Sequence, residues 1–329
     1  MRNCKFLQRF ICGGLLCAGI IAQCQMENWS LPSKYLNQNN QLVNLPTGDY
    51  QGEQNSYASN MAYSLNGDLK FFVQGNKIFG SNGNELLDLT TIISTAFSNS
   101  NIGTSSAGFN LCGKELVLIP SDHDCDQYFV AFSVNRMAET KHYSIGAVLN
   151  YTEEDGDPLL LAIHETCLLN PMNPDQVGND AHQKMISYAV TTKNSGGERY
   201  LLLGTARKFF PYKLSSTGFT TIDLGGISFN IGGESVQSYS DCEAEVIPNS
   251  YTNPVNGYRY DGFLNAVPYR KQLSSTSIDG VMLYQLNSSC NPVGSPVNIS
   301  QNWSDNDPLI GLELSSNAKV LYICDNDGI

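Results

Sequence analysis

The sequence predicts an all-β fold, a β-propeller of four-stranded antiparallel blades. Two observations support this class: a theme of paired hydrophobic runs recurs along the chain, and apolar residues alternate with polar ones between turn-forming dipeptides. A multi-strand unit that recurs at intervals of 58 to 72 residues is typical of a propeller. The intervals are measured between one marker residue in each copy: Phe72, Val130, Leu202, Leu264 and Tyr322.

Each copy of the theme has an aromatic or aliphatic run, a polar break and a second run rich in Tyr, Phe and Ile. We expect five blade repeats with the last one truncated, derived from a parent of about seven blades. The runs are Leu69–Val73 with Lys77–Gly80, Tyr128–Phe132 with His142–Val148, Tyr200–Leu203 with Pro211–Leu214, Gly262–Val267 with Val281–Leu286, and Val320–Ile323 alone.

Residues 1–24 are predicted to be a secretory signal rather than part of the fold. Three basic residues precede Ile11–Ala22, an apolar run that is short for a membrane span. A small-residue pattern follows, and cleavage is expected after Cys24 or after Ala22. The mature chain is therefore predicted to be secreted, extracellular or at the cell surface, with the periplasm as the other compartment, and to insert no segment into a membrane.

Residues 25–54 have no sustained hydrophobic period and are interpreted as an extended lead-in, and residues 55–329 as the propeller. Within the propeller, Asn66-Gly67 and Asn82-Gly83 are dipeptides that supply the positive φ of tight hairpins. The best helix candidate is Leu87–Phe97, although its Thr and Ile content favours strand.

The third copy illustrates how one blade is expected to form. A blade of this size cannot cover both of its faces, so neighbouring blades are expected to stack around an axis. Val320–Cys324 is then an exposed hydrophobic edge, to be covered by further blades, by the lead-in or by a partner. The four strands of the third copy are predicted at Met185–Thr192, Tyr200–Ala206, Phe209–Leu214 and Thr220–Leu224.

The acidic composition limits the classes of partner. The net charge is −12, and removal of residues 1–24 takes away three basic residues and no acidic one, which moves it to −15. Such a chain repels phosphate backbones and anionic lipids, so nucleic acid and membrane surfaces are poor candidates. The simpler interpretation of the acidic composition is that it keeps the protein soluble.

Cysteine usage fits an oxidising compartment, because six of the ten cysteines follow the signal and none forms a C-x-x-C pair. Six cysteines allow fifteen connectivities, so the full pairing does not follow from the sequence. Cys112 and Cys125 bracket one predicted strand and its turn. We predict a local disulfide between these two residues.

Ser59–Leu89 contains the pattern N-G-x-L-x-F-F, a short turn, an I-[FY] strand and a second N-G turn. With it the segment resembles the opening blade of large secreted propeller proteins of the Bacteroidetes phylum. Glu115–Phe132 and Lys184–Phe219 are similar to later blades of that family, and the resemblance covers residues 27–329. The matching residues of the first segment are Asn66, Gly67, Leu69, Phe71, Phe72, Ile78, Phe79, Asn82 and Gly83.

The resemblance implies a secreted or surface-displayed propeller. Proteins of that family commonly carry further blades, immunoglobulin-like modules and a C-terminal sorting domain for type IX secretion or gliding-associated display. The residues of this sequence do not include those C-terminal modules. The matched motifs are structural, so the resemblance implies a fold and a location rather than a reaction.

Two acidic groups have the alternating oxygen ligands that calcium prefers. Asp325 and Asp327 precede a glycine, and Asp122 and Asp124 alternate around His123. The competing interpretation is a pair of solvated hairpin turns, in which Asp, Asn and Gly are common. No other cofactor is implied.

A tyrosine-rich segment is the candidate ligand-binding group. Tyr251, Tyr258 and Tyr260 surround Arg259, and aromatic rings on an exposed rim can stack on sugar rings. The competing interpretation is that these rings pack between blades, as aromatic side chains in propellers often do.

No catalytic motif with the required spacing is recognised, so the sequence predicts a non-catalytic propeller. It would act as a binding or scaffolding module for an unknown protein or glycan, through loops presented by rigid strands. One alternative is a carbohydrate-active enzyme with paired carboxylates, for which Asp261 and Glu243 are the candidates. Another is a remnant of a larger surface protein.

Overall fold

The structure is a computed structural model of the chain. It describes residues 34–36, 41–45, 48–50, 60–64, 67–102, 109–122, 124–136, 142–154, 157–170, 186–205, 208–222, 226–228, 230–231, 234–235, 237–238, 244–252, 255–272, 277–301, 311–315 and 317–324. The predicted signal, residues 1–24, lies outside these ranges. Among the described residues, no helix has the length and apolar character needed to cross a bilayer.

The lead-in contains a small hairpin, and the first blade follows it. The hairpin pairs β1 (Lys34–Leu36) with β2 (Leu42–Asn44) in antiparallel register. Glycines at positive φ, Gly67 at 84° and Gly83 at 81°, form turns of the first blade, as the dipeptide pattern predicts. The blade is a meander of β3 (Asn60–Tyr63), β4 (Leu69–Gln74), β5 (Lys77–Gly80) and β6 (Glu85–Asp88).

The second and third blades are also antiparallel meanders of sequential strands. The third matches the four predicted strands to within three residues at each end. A short strand, β15 (Ile227–Ser228), pairs the start of β13. The strands are β7 (Phe109–Pro120), β8 (Gln127–Arg136), β9 (His142–Glu154) and β10 (Asp157–Leu169) in the second blade, and β11 (Ser187–Val190), β12 (Arg199–Gly204), β13 (Lys208–Ser215) and β14 (Gly218–Thr221) in the third.

The fourth blade has a divided first strand. The segments β18 (Gln237–Ser238) and β19 (Glu245–Pro248) pair different parts of the same long strand, and a two-stranded ladder follows the blade. Two hairpins, β16 (Asn230–Ile231) with β17 (Glu234–Ser235) and β20 (Tyr251–Thr252) with β21 (Arg259–Tyr260), lie in its connections. The remaining strands are β22 (Gly262–Gln272), β23 (Ser277–Asn287), β24 (Val297–Gln301), β25 (Gly311–Leu314) and β26 (Leu321–Cys324).

One helix, α1 (Leu89–Asn99), connects the first and second blades and confirms the helix candidate with a shift of two residues. It begins there because the Asp88 side chain accepts a hydrogen bond from the Thr90 N–H at 2.8 Å, which caps the first turn. One face carries Leu89, Ile92, Ile93, Ala96 and Phe97, all buried. This apolar face is enough to hold a segment whose Thr and Ile content disfavours a helix.

The hydrophobic core runs continuously across the blade boundaries. One cluster joins the first blade, α1 and the second blade, a second joins blades two and three, and a third joins blades three and four. Leu312 and Leu314 of β25 pack on Ala266 and Val281 of the fourth blade. The all-β propeller with stacked four-stranded blades is therefore confirmed.

Because each blade is a meander, the connection between its first and second strands lies at the same end as that between its third and fourth. We call this end the AB end. The first-to-second connections comprise residues 64–68, 121–126, 191–198 and 249–261. The last is the longest and contains the β20–β21 hairpin.

The strand register corrects the predicted Cys112–Cys125 disulfide. Leu111 pairs with Val134 at one end of the β7–β8 hairpin, and Pro120 pairs with Tyr128 at the other end, beside the turn with Cys125. Along β8 these pairs are separated by roughly 20 Å, at about 3.3 Å per residue. A disulfide needs its Cα atoms within about 7 Å. Both cysteines are in one hairpin, as predicted, but at opposite ends of it.

Candidate functional site

The predicted calcium residues do not form one site in the described part of the chain. Asp325 and Asp327 lie outside the described residues. The Asp122 carboxylate is 3.0 Å from Lys193 Nζ and 3.9 Å from Arg199 Nε, so it joins the second blade to the third. Asp124 Oδ1 accepts the Asp126 N–H at 3.1 Å within the turn. Asp124, Cys125 and Asp126 are close together but exposed, and calcium stays an untested prediction there.

The predicted tyrosine group lies in the β20–β21 hairpin at the AB end of the fourth blade. Tyr251 pairs with Tyr260, and Thr252 pairs with Arg259. Side chains directly opposite each other share a face of a hairpin, and neighbours along a strand alternate. Tyr251 and Tyr260 therefore share one face, with ring centroids 6.0 Å apart, and Arg259 projects from the other. The four residues are neighbours, but they do not form one flat platform.

Arg259 contacts a residue that lines a pocket. Its Nε donates to Ser250 Oγ at 2.8 Å, and its NH2 group donates to the same oxygen. Ser250 precedes β20, and Asp261 follows β21, so the two residues flank the base of the hairpin. Both line a pocket with a volume of about 340 Å³.

The pocket lies between the third and fourth blades at the AB end. Its third-blade wall is the β11–β12 turn, and its fourth-blade wall is formed where the chain enters and leaves the β20–β21 hairpin. Pro248, Gly262 and Phe263 form its less polar part. The polar groups come from both walls: Lys193, Asn194, Ser195, Asn249, Ser250 and Asp261.

Gly262 permits the close strand packing at the base of the pocket. A Cβ on this residue would be 2.1 Å from the Leu286 carbonyl oxygen and 3.1 Å from Tyr251 Cε1. Any side chain larger than hydrogen would push β23 away or displace the Tyr251 ring. Tyr251 is therefore a structural neighbour of the pocket and packs behind its wall.

A hydrogen-bond network fixes the third-blade wall. Asn194 Oδ1 accepts the Glu198 N–H at 2.8 Å, and Asn194 Nδ2 donates to the Ser288 carbonyl of the fourth blade at 2.8 Å. The Glu198 carboxylate accepts hydrogen bonds from Lys213, from Tyr200 Oη at 2.8 Å and from Asn194 Nδ2 at 3.2 Å. These partners, Lys213 first, lower the pKa of Glu198 to about 2. The wall is thus preorganised.

The electrostatics of the pocket are mixed. Lys193 is half exposed, and its ammonium lies against Asp122. Asp261 is exposed, and among the side chains that the structure describes no Lys or Arg forms an ion pair with it. The pocket therefore presents amide and hydroxyl groups, one carboxylate and one cation that already has a partner.

Sequence reasoning identified the hairpin but not the pocket beside it. Lys193, Asn194 and Ser195 come from a turn more than fifty residues before Asn249, and no motif joins the two segments. The available signal was the polar turn Asn194-Ser195-Gly196-Gly197, which lies between the first two strands predicted for the third copy.

Comparisons with known proteins add little to this picture. No family model matches the sequence, and no curated protein matches it. Among solved structures, the β-propeller domain of Nup133 from Vanderwaltozyma polyspora is similar at 13% identity, with a TM-score of 0.23 over 82% of this chain and 91% of that chain. A similarity at that TM-score supports no conclusion, and the fold assignment rests on sheet order and core packing.

Proposed function

We propose that this protein is a secreted or surface-exposed propeller that acts as a non-catalytic binding module, with a glycan as its ligand. The observation that carries the proposal is the polar pocket between the third and fourth blades, beside a hairpin with an exposed tyrosine. Concave sites with a few convergent polar groups are where small ligands bind.

The side chains of the pocket suit a sugar better than a flat protein surface. Sugar hydroxyls donate and accept hydrogen bonds at once, and the pocket offers both kinds of partner. Asn249, Ser195 and Ser250 present amide or hydroxyl groups, and Asp261 presents an acceptor for hydroxyl donors. Tyr258 adds an aromatic surface that is 70% exposed, on which the C–H face of a sugar ring can pack.

Binding without catalysis is the better supported class. Glycoside hydrolysis requires two carboxyl groups on either side of one bond. Of the described residues that line the pocket, only Asp261 is acidic, and Glu243 lies outside the described residues. A single carboxylate among amides and hydroxyls favours recognition.

Location and lineage are part of the same proposal. The basic start and apolar run of residues 1–24 support secretion. The motif resemblance in Ser59–Leu89 supports surface display in a Bacteroidetes-like protein. Recovery of the mature protein from culture supernatant or from the cell surface, with its N-terminus at Gln23 or Gln25, tests this part directly.

The binding proposal is tested by screening the purified protein on a glycan array and measuring affinity for each hit by calorimetry. Asp261→Asn is expected to lower the affinity at least tenfold, because hydrogen bonds to a charged acceptor are among the stronger ones. Asp68→Asn, on an exposed turn of the first blade, is the matched control and is expected to leave affinity unchanged. Absence of any glycan hit, or equal binding by Asp261→Asn, would overturn the proposal.

A further inference from the structure

We infer that Asn256 is a site of spontaneous deamidation, at which a main-chain nitrogen displaces ammonia from the side-chain amide. The inference is independent of the proposed binding function. An asparagine followed by a glycine favours this reaction, because glycine has no Cβ to obstruct the attacking nitrogen. The sequence contains three such dipeptides, Asn66-Gly67, Asn82-Gly83 and Asn256-Gly257. The fold distinguishes between them and leaves the last one accessible.

Water is the only reagent that the reaction needs. The Gly257 main-chain nitrogen attacks Cγ of Asn256, the Cγ–Nδ2 bond breaks, and ammonia leaves with the proton of the Gly257 amide. The product is a cyclic succinimide. Water then opens the ring at one carbonyl to give aspartate, or at the other to give isoaspartate, whose main chain runs through the former side chain. One water is consumed and one ammonia is released, so no oxidant or reductant is required.

The dipeptides at Asn82 and Asn256 agree in local geometry. Gly83 has a φ of 81° and Gly257 has a φ of 72°. The Oδ1 atoms of Asn82 and Asn256 each accept the N–H of the residue two positions later, at 3.0 Å. At both sites this N–H can stabilise the charge that develops on the oxygen during attack. These shared features therefore do not separate the two sites.

The glycine of the first-blade site is buried and held by hydrogen bonds. The Gly83 N–H donates to the Gly80 carbonyl at 2.9 Å, and the Gly83 carbonyl accepts the Tyr50 N–H at 3.1 Å. Attack removes the proton of the attacking N–H, so the first of these bonds must break, at a cost in free energy. The Gly67 N–H also donates to a main-chain carbonyl at 2.9 Å, although Asn66 lies outside the described residues.

The glycine at the tip of the β20–β21 hairpin is not buried in this way. Asn256 and Gly257 are exposed, and a Cβ on Gly257 would meet no atom within 4 Å. The hairpin has only two residue pairs, and such a short exposed ladder opens locally at little cost. Asn256 Nδ2 donates to Tyr260 Oη at 2.9 Å, and water can replace this exposed partner. The attacking nitrogen can therefore reach Cγ while the fourth blade stays folded.

The modification changes the connection that borders the pocket. Ser250 and Asp261 line the pocket at the base of the hairpin, and Asn256 lies at its tip. Both products carry a carboxylate in place of a neutral amide, and isoaspartate also lengthens the main chain by one methylene. A carboxylate cannot donate a hydrogen bond to Tyr260 Oη, so the tip must rearrange its hydrogen bonds.

The test follows deamidation of the full chain in mildly alkaline buffer by peptide mapping. Chromatography separates aspartate from isoaspartate, and mass spectrometry identifies each peptide. In the folded chain, Asn256 is expected to react at least tenfold faster than Asn82, which corresponds to a barrier lower by about 1.4 kcal/mol. In the chain unfolded by urea, the two sites are expected to react at similar rates. Asn256→Gln is expected to remove the fast reaction, and Asn82→Gln, the matched control, to leave it unchanged.

Three results would overturn the inference. The first is an equal rate at Asn256 and Asn82 in the folded chain, or no reaction at Asn256. The second is a tenfold preference that persists in urea, because it would come from neighbouring residues in the sequence rather than from the fold. The third is a fast reaction that remains in Asn256→Gln, which would assign the product to another asparagine. Circular dichroism before and after incubation checks that the chain stays folded.

Discussion

Two blade boundaries at the AB end use similar residues in opposite ways. Between the first and second blades, Lys70 has only 14% of its side chain exposed, and its Nζ lies 2.7 Å from Asp126 Oδ1. The same ammonium lies 4.9 Å from the ring centroid of Tyr151 and 5.6 Å from that of Tyr128. Phe71 packs edge-on to Tyr128 behind it. This boundary is closed by a cation among aromatic rings.

The boundary between the third and fourth blades also has a lysine near a carboxylate, but it stays open. Lys193 has 52% of its side chain exposed, and its partner Asp122 belongs to the second blade rather than to the fourth. The longer connection of the fourth blade stands away from the third-blade turn, and the pocket occupies the space between them. At the AB end, the short connections 64–68 and 121–126 therefore meet at a closed boundary, whereas the long connection 249–261 borders the pocket.

The largest effect is expected from adding a methyl group at the base of the pocket, inside the fourth blade. Gly262→Ala would place a Cβ 2.1 Å from the Leu286 carbonyl, and strands β22 and β23 cannot separate without losing ladder hydrogen bonds. We expect the free energy of unfolding to fall by about 2–4 kcal/mol in urea denaturation.

A glycine in the β11–β12 turn, on the third-blade side of the pocket, provides the control for this effect. In Gly196→Ala the nearest atom to the new Cβ is Asn194 Oδ1 at 3.2 Å, a side-chain atom that can shift slightly. The free energy of unfolding of Gly196→Ala is expected to fall by no more than about 1 kcal/mol. Equal unfolding free energies for Gly262→Ala and the parent would show that the strand packing at the pocket base is looser than described.

A smaller effect on stability is expected from replacing each of the two lysines by methionine. Lys70→Met keeps the apolar stem but removes the ammonium from Asp126 and from two tyrosine rings, and we expect a loss of about 1–2 kcal/mol. Lys193→Met removes a half-exposed charge and is expected to cost no more than about 0.5 kcal/mol. The measurement is the urea midpoint at constant m-value. Equal losses would mean that the first boundary is no more closed than the other.

The two boundaries also show what the sequence can predict. Alternation around Phe71 and Tyr128 and the Asn-Gly turns predicted the strands, because the period of two is local information. The register that brings Lys70 to Asp126, or Lys193 to Asp122, depends on how separate blades stack, which no local pattern encodes.

The sequence also could not predict how the four residues of the tyrosine group are arranged, because their arrangement depends on the hairpin register. Tyr251, Tyr258, Arg259 and Tyr260 were predicted as one binding group because they are close in sequence. The hairpin register divides them, since Tyr251 packs behind the wall at Gly262 and Arg259 faces Ser250. The disulfide prediction failed for a related reason: Cys112 and Cys125 are near in sequence, but most of strand β7 lies between them.

The smallest expected effect is a pH dependence of stability at the open boundary. The pKa of Glu198 is lowered to about 2 in the folded chain by Lys213, Tyr200 and Asn194, against about 4.3 for an unfolded glutamate. A lowered folded-state pKa gives stability that is fully present above pH 4.3 and is lost as the pH falls through 2. In Glu198→Gln this contribution is absent, so the difference in Tm between parent and variant should shrink steadily from pH 5 to pH 2.

Glu85→Gln removes another lysine-paired glutamate, in the first blade, with Lys77 Nζ at 2.5 Å, and serves as the matched control. A Tm difference for Glu198→Gln that stays constant over this range would show that the hydrogen bonds from Lys213, Tyr200 and Asn194 do not lower the pKa of the Glu198 carboxyl.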